Sequence, residues 1–339
     1  MRRALAISLR LLVAAAAVGV VLLLPHLVSD FHAGTDLAEA GALFIAIVGL
    51  NFLTGYTGQI SLGHGALMAI GAYTTAALVV HEHWRDVWTI PLAGLAAGIA
   101  GFIVGIPALR LSGLYLALAT FALAVAMPSL LKKFSGLTGG GNGLQFLESA
   151  PKQVTGFNSS FSVTLFGHSM TKNHFLYYLT WAIALVGVGL AWLILRGTLG
   201  RTFRAVRDSE VAAVSAGVNL AAYKTLAFAL SGVYAGVAGS LLTIQREIVN
   251  PTSFTVVLSI MIVVGAVVGG LGSLPGLVAG AFFIEYLDNI AGHVSDRGGV
   301  TEFVYGAAII LVMILLPGGL GGLLRRLGRP LTTWLSARP

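Results

Sequence analysis

The chain has 339 residues, of which 57% are hydrophobic and only 10% charged, against about a quarter charged in a soluble domain, so it cannot cover a folded surface with polar groups. Its net charge of +7 comes from Lys and Arg at the ends of apolar runs, not from a basic face interleaved with aromatic residues, which excludes nucleic acid as the partner. Cys is absent, which excludes disulfides, thiolate nucleophiles and Cys-based metal sites.

Apolar stretches of roughly the 18 to 20 residues that a helix needs to cross a bilayer recur along the whole length, and the alternation of a membrane β-barrel is missing. The pattern predicts an all-α, polytopic transmembrane helix bundle of about ten spans in a single domain covering 1–339. The spans fall at 8–28, 37–53, 60–80, 88–106, 113–131, 174–196, 220–243, 253–272, 275–293 and 301–317. In the first, Arg2, Arg3 and Arg10 flank an apolar run from Leu11 to Leu24, which is compatible with a signal peptide and with an anchoring span.

Between the second and third spans, Gly55, Gly58, Gly63 and Gly65 punctuate an apolar region. A helix broken at membrane depth bares backbone polar groups, which are tolerated only against protein or a water-filled cavity. Asn51, Tyr56, Gln59, Ser61 and His64 are therefore candidates to line a passage, with packing as the alternative for His64. Gly-xxx-Gly pairs at Gly94/Gly98, Gly101/Gly105, Gly232/Gly236 and Gly276/Gly280 read as faces where helices approach closely.

Two hydrophilic segments follow. The first, 132–173, is rich in Gly, Ser, Thr and Asn and suits a folded extracytoplasmic loop. The second, 197–219, is charged and helical in pattern: Arg201, Arg204 and Arg207 recur every third residue, and Arg204/Asp208 and Arg207/Glu210 have the spacing of helix-surface ion pairs. Phe203, Val206, Val211 and Val214 supply an apolar side, and Gly217 suits a helix C-terminus. Such a helix fits either a membrane surface or a groove on a partner protein.

A second interruption, GGLGSLPG from Gly269 to Gly276, separates spans eight and nine; its Ser273-Leu274-Pro275 echoes Ser61-Leu62-Gly63. Paired interruptions point to a transport site at a repeat interface, with short interhelical turns as the plainer alternative. Glu285 falls near the middle of the ninth span, where a carboxylate usually faces the bundle interior, as a pathway group or as a structural hydrogen-bond partner. Asp288 and Asn289 follow within one turn. With the N-terminus inside, 13 of the 20 Lys and Arg residues fall on inner segments, including the tail at 319–339, so the positive-inside rule places both termini in the cytoplasm. No G-x-x-x-x-G-K-[ST] phosphate loop, His-Glu-x-x-His or nucleophile elbow occurs, so direct catalysis is not expected.

The stretch GLNFLTGYTGQISLGHGALMAIGAY, together with PALRLSGLYLALATFALA, TGGGNGL, GRTFRAVRDSEVAAVSAGVN and NPTSFTVVLSIMIVVGAVVGGLGSLPGLVAGAF, resembles the LivM-type permeases of branched-chain amino acid ABC importers over nearly the whole chain. Permeases for urea, short amides or other amino acids share much of that pattern. The resemblance implies a cell-membrane (inner or plasma membrane) complex with a LivH-like permease subunit, two cytoplasmic ATPase subunits that bind the ATP, and an extracytoplasmic substrate-binding protein that docks on the outer loop. It also implies that about Arg201 to Gly217 is the coupling helix, although the family's Glu-Ala-Ala-x-x-x-Gly is matched only loosely by Glu210-Val211-Ala212-Ala213 and Gly217. The reading from another class is an ion-coupled secondary transporter, for which Glu285 is the one favourable residue.

Overall fold

The computed structural model describes residues 31–111, 113–146, 163–165, 168–170 and 172–294, with a few positions between 306 and 322. The expected span at 8–28, most of 301–317, most of the tail and the middle of the long loop (147–162) lie outside the described residues. Each of the other eight expected spans contains a helix.

Helix α1 (Phe31–Asn51) runs into a π-helical turn at Phe52–Thr57. It is followed by α2 (His64–Val80), α3 (Asp86–Ala108), α4 (Leu114–Lys133), the single turn α5 (Ser135–Thr138) and α6 (Lys172–Arg196). Two short helices, α7 (Thr198–Asp208) and α8 (Glu210–Ser215), precede α9 (Leu220–Arg246), a 3-10 turn (Pro251–Phe254), α10 (Val256–Gly269) and α11 (Leu274–Val294). Among the described residues four very short strands also occur, which the all-α reading did not anticipate. β1 (Leu144–Gln145) pairs antiparallel with β4 (Ile248–Val249), and β2 (Val163–Leu165) with β3 (His168–Met170).

Among the described residues, five helical stretches are long and apolar enough to cross a membrane: Thr35–Thr57, α3, α4, α6 and α9. The full spans expected at 60–80 and 253–272 are shorter helices. α2 and α10 hold 17 and 14 residues, about 25 and 21 Å at 1.5 Å per residue, less than a hydrocarbon core of about 30 Å. Each is cut at a glycine-rich interruption: α2 starts only after Gly63, and α10 stops at Gly269, where Gly270 turns to φ +92°.

Helix α9 is the centre of the bundle and packs against α3, α2 and α1. Small residues make that possible. Gly232 and Gly236 set its backbone against Ala97 and Ala93 of α3, and Gly239 against Met68 of α2, so closely that a Cβ at any of them would collide with a carbonyl oxygen. Gly276 and Gly280 of α11 press in the same way on Gly269 and Gly265 of α10. These are the close-packing faces expected of Gly-xxx-Gly pairs, where dispersion contacts replace the hydrophobic drive that lipid does not supply. The outward faces are apolar too. Leu95, Ile99 and Ile103 of α3, Leu118 and Val125 of α4, and Val186, Leu190 and Leu193 of α6 are exposed, an apolar surface broader than water-soluble monomers carry and suited to lipid.

Gly236→Val overpacks the α9–α3 contact and costs roughly 1–3 kcal/mol, read as a lower unfolding midpoint in detergent. Gly189→Ala on α6, where an added Cβ meets nothing within 4 Å, leaves that midpoint unchanged.

Candidate translocation site

The first interruption places five expected residues in one buried neighbourhood. Asn51, Tyr56, Gln59, Ser61 and His64 are each at most 9% exposed, with His64 fully enclosed. Gly58 ends the π-helical turn with φ +71° and its N–H donates to the Leu53 carbonyl, so the chain leaves the helix axis. Residues 58–63 are then non-helical until α2 begins at His64. The freed backbone groups are taken up by side chains from other helices. The Leu62 N–H donates to Thr120 Oγ1 of α4 at 2.9 Å, and the Gly65 N–H to Ser259 Oγ of α10 at 2.9 Å. His64 Nδ1 lies 3.3 Å from Ser231 Oγ of α9. Thr120, Ser231 and Ser259 were not singled out from the sequence; the available signal was a lone hydroxyl inside an otherwise apolar run.

The second interruption meets the first at one residue. Gly272, at φ +77°, donates its N–H to Asn51 Oδ1 at 2.9 Å, and its carbonyl accepts from the Tyr56 hydroxyl at 3.1 Å. Gly55 must stay glycine here, because a Cβ would collide with Asn51 Oδ1 and come within 2.8 Å of the Gly272 nitrogen. Not every polar group in the cluster is satisfied within the protein. Asn51 Nδ2 and both side-chain amide atoms of Gln59 are buried and meet no hydrogen-bond partner among the described protein residues.

A third segment enters at the same point. Arg207 Nη1 donates to the Gly55 carbonyl at 2.5 Å, and its side chain covers Gly58, where an added Cβ would lie 3.2 Å from Arg207 Cγ. The segment 197–219 is not the single helix expected. Ser209 is extended (φ −163°, ψ 114°) and its Oγ accepts from the Ala212 N–H, capping α8. Gly217 closes α8 at φ +84° as expected, with Val218 N–H donating to the Ala213 carbonyl at 3.0 Å, a Schellman end. The break changes the partners foreseen for the charges. Arg207 is committed to Gly55, Glu210 pairs with Lys224 at 2.7 Å, and Arg204 turns towards the Leu195 carbonyl at 3.5 Å. The apolar side is divided as well: Phe203 and Val206 are buried, whereas Val211 and Val214 are 78% and 53% exposed. Arg201, Arg204, Asp208, Glu210 and Gly217 share that open surface.

Glu285 stands apart from these groups. It lines a cleft of about 100 Å³ with Glu39 of α1, Arg246 at the end of α9, and an apolar wall that includes Leu43, Phe254, Leu258 and Met261. Arg246 grips Glu39 with both ends of its fork, Nε to Oε1 at 2.9 Å and Nη2 to Oε2 at 2.5 Å. The side chains of Asp288 and Asn289 lie outside the described residues. Among the described residues, no three His, Asp or Glu side chains converge as metal ligands would. The two places thus offer different chemistry: buried hydrogen-bonding groups around the interruptions, and charged groups beside an apolar wall in the cleft.

Asn51→Leu removes the acceptor for the Gly272 N–H and costs about 1–3 kcal/mol. Hydrogen exchange at the Gly272 amide rises in this variant if the contact joins the two interruptions, and is unchanged if it does not.

Residues 36–313 match the family described as the permease component of branched-chain amino acid transport systems. The chain is 32% identical over 309 residues to the high-affinity branched-chain amino acid transport permease LivM of Salmonella typhimurium, covering 87% of this chain and 71% of that protein. It is 33% identical over 301 residues to Escherichia coli LivM, covering 84% and 69%. A probable LivH permease of Methanocaldococcus jannaschii is 24% identical over 303 residues, covering 86% and 92%. No solved structure matches the chain. A multi-pass helical bundle with two joined interruptions and a match over most of its length makes this chain a LivM-type member of the branched-chain amino acid transport permease family.

Proposed function

We propose that this chain is a permease subunit of an ATP-driven importer of branched-chain amino acids: leucine, isoleucine and valine. It lies in the inner or plasma membrane with both termini in the cytoplasm, beside a LivH-like permease. Two cytoplasmic ATPases supply the energy, and an extracytoplasmic binding protein delivers the substrate to the loop at 132–173. The relatives carry branched-chain amino acid transport in their names, and the positive-inside distribution favours the Arg207 end as cytoplasmic.

The observation that carries the mechanism is the Arg207 contact with Gly55. It joins a surface segment with an open charged and apolar face to the point where both interrupted helices meet. Arg201, Arg204, Asp208, Glu210, Val211 and Val214 form the face on which an ATPase docks, and Gly217 fixes where that face ends. When the ATPases close, the pull reaches the π-helical turn through Arg207. Asn51, Tyr56, Gln59, Ser61 and His64 form the closed inner end of the pathway in this conformation, and Glu285 belongs to its outer end. Asn51 Nδ2 and the Gln59 side-chain amide, which meet no partner among the described residues, favour a cluster with a second arrangement, as a switching bundle requires.

Uptake of radiolabelled leucine into proteoliposomes holding all the subunits tests this reading. It requires ATP and the binding protein, and persists when ion gradients are collapsed; uptake driven by an ion gradient without ATPases would instead make Glu285 a coupling carboxylate of a secondary transporter. Arg207→Glu inserts normally but hydrolyses ATP without uptake, and normal transport by this variant would refute the coupling role.

A further inference from the structure

We infer that the corner between α6 and α7 is a binding site for the phosphate of an anionic phospholipid, built from Trp192, Arg196 and the guanidinium of Arg204. The importer reading enters only through the orientation it shares, which puts this corner at the cytoplasmic leaflet. Helix α6 holds 25 residues, about 38 Å at 1.5 Å per residue. It outruns a hydrocarbon core of about 30 Å, so its last turn emerges among the headgroups. The exposed apolar side chains of Val186, Leu190 and Leu193 run down to that turn, a surface that acyl chains cover. Beside them Trp192 is 46% exposed, and the Arg196 guanidinium lies over its ring, 3.8 Å from the centroid. The charge is folded back onto the membrane-facing surface instead of extending into water. Stacking occupies one face of the planar group and leaves its N–H edges open, the geometry that holds a phosphate in two parallel bonds.

A second guanidinium reaches the corner because the chain folds back tightly. Gly197 opens the turn, and Gly200 presses on Leu195 so closely that a Cβ would collide with the Leu195 carbonyl oxygen. One turn further on, Arg204 Nη2 points to that same carbonyl at 3.5 Å, one residue before Arg196. Among the described residues, neither Arg196 nor Arg204 has an ion-pair partner. The carboxylates that do pair, Glu39, Glu210 and Glu247, are taken by Arg246, Lys224 and Lys172. Asp208, one turn past Arg204, pairs with neither arginine. Two cations without a carboxylate, next to an apolar wall, match a ligand with an anionic head and hydrocarbon tails. A zwitterionic headgroup brings a further cation to the same place and gains less.

The test is native mass spectrometry of the complete complex, released from nanodiscs of phosphatidylcholine with a graded fraction of phosphatidylglycerol. It reads retained lipid and subunit composition together. The wild type retains phosphatidylglycerol in preference to phosphatidylcholine. Arg196→Gln raises the phosphatidylglycerol fraction needed for half-retention about tenfold, the loss expected for one charge-assisted pair. Trp192→Leu, which removes the stacking and keeps the charge, raises it about threefold. Leu190→Ala, on the same apolar face but without a charge, leaves it unchanged and controls for general disturbance of α6. Equal retention of the two lipids by the wild type would reduce the corner to ordinary boundary lipid and overturn the site. Unchanged retention in Arg196→Gln would overturn it too. So would loss of the ATPase subunits from Arg196→Gln, which would make the corner a contact for the motor. A wild-type assembly that holds no ATPase yet keeps the lipid preference would overturn the importer reading and leave the site standing.

Discussion

A polypeptide that leaves the helix where it is buried has no water to satisfy its bared N–H and C=O groups, each costing about as much as a lost hydrogen bond if left unmet. This chain breaks two helices, at Gly58 and at Gly270, and meets the constraint by turning the two breaks on each other. Asn51 accepts from the Gly272 N–H, Tyr56 donates to the Gly272 carbonyl, and Arg207 donates to the Gly55 carbonyl. Thr120 and Ser259 serve the backbone on the far side of the first break. The satisfaction of the broken backbone and the mechanical connection of three segments are thus the same set of hydrogen bonds. A surface helix that moves must carry or release that backbone.

Around this junction the bundle is stiff in one part and adaptable in another. The α9 core is held by glycine-mediated contacts in which a single added methyl group has no room, so α9, α3 and α2 move together. The cleft at the opposite end is bounded by the Glu39–Arg246 ion pair and an apolar wall that includes Met261. Helix interfaces of small residues permit sliding between discrete packings and resist continuous deformation. Under the proposed coupling, a pull applied at Arg207 reaches the interruptions first, through its hydrogen bond to the Gly55 carbonyl.

Most of the helical layout was legible from hydropathy, because a span of about 20 apolar residues has few alternatives. The end at Gly217 was legible from glycine alone, whereas at the first break Gly55, Gly58, Gly63 and Gly65 marked the region without showing that the helix ends at Gly58. Three further features were not legible. The shortness of α2 and α10 depends on where the chain re-enters a helix, which glycine spacing leaves open. The break at Ser209 was hidden because its neighbours all favour a helix, so Arg207/Glu210 looked like a surface pair; tertiary partners, Gly55 and Lys224, decided the geometry. The cleft was invisible because Glu39, Arg246 and Glu285 are far apart in sequence and only the packing of α1, α9 and α11 unites them. The sequence did single out Asn51, Tyr56, Gln59, Ser61 and His64 together, since all sit within 14 residues around the first break.

The central claim is that α7 and the two interruptions move as one body relative to the outer cleft. Because the chain has no Cys, spin labels can be placed without background at Ala205 on α7, Leu271 in the second interruption and Thr252 near the cleft, all exposed positions. Distances measured by pulsed electron resonance in the complete complex, nucleotide-free and ATP-trapped, decide the matter. The Ala205–Leu271 distance stays constant while Leu271–Thr252 changes if the Arg207 junction transmits the stroke. A changing Ala205–Leu271 distance beside a constant Leu271–Thr252 distance would contradict it.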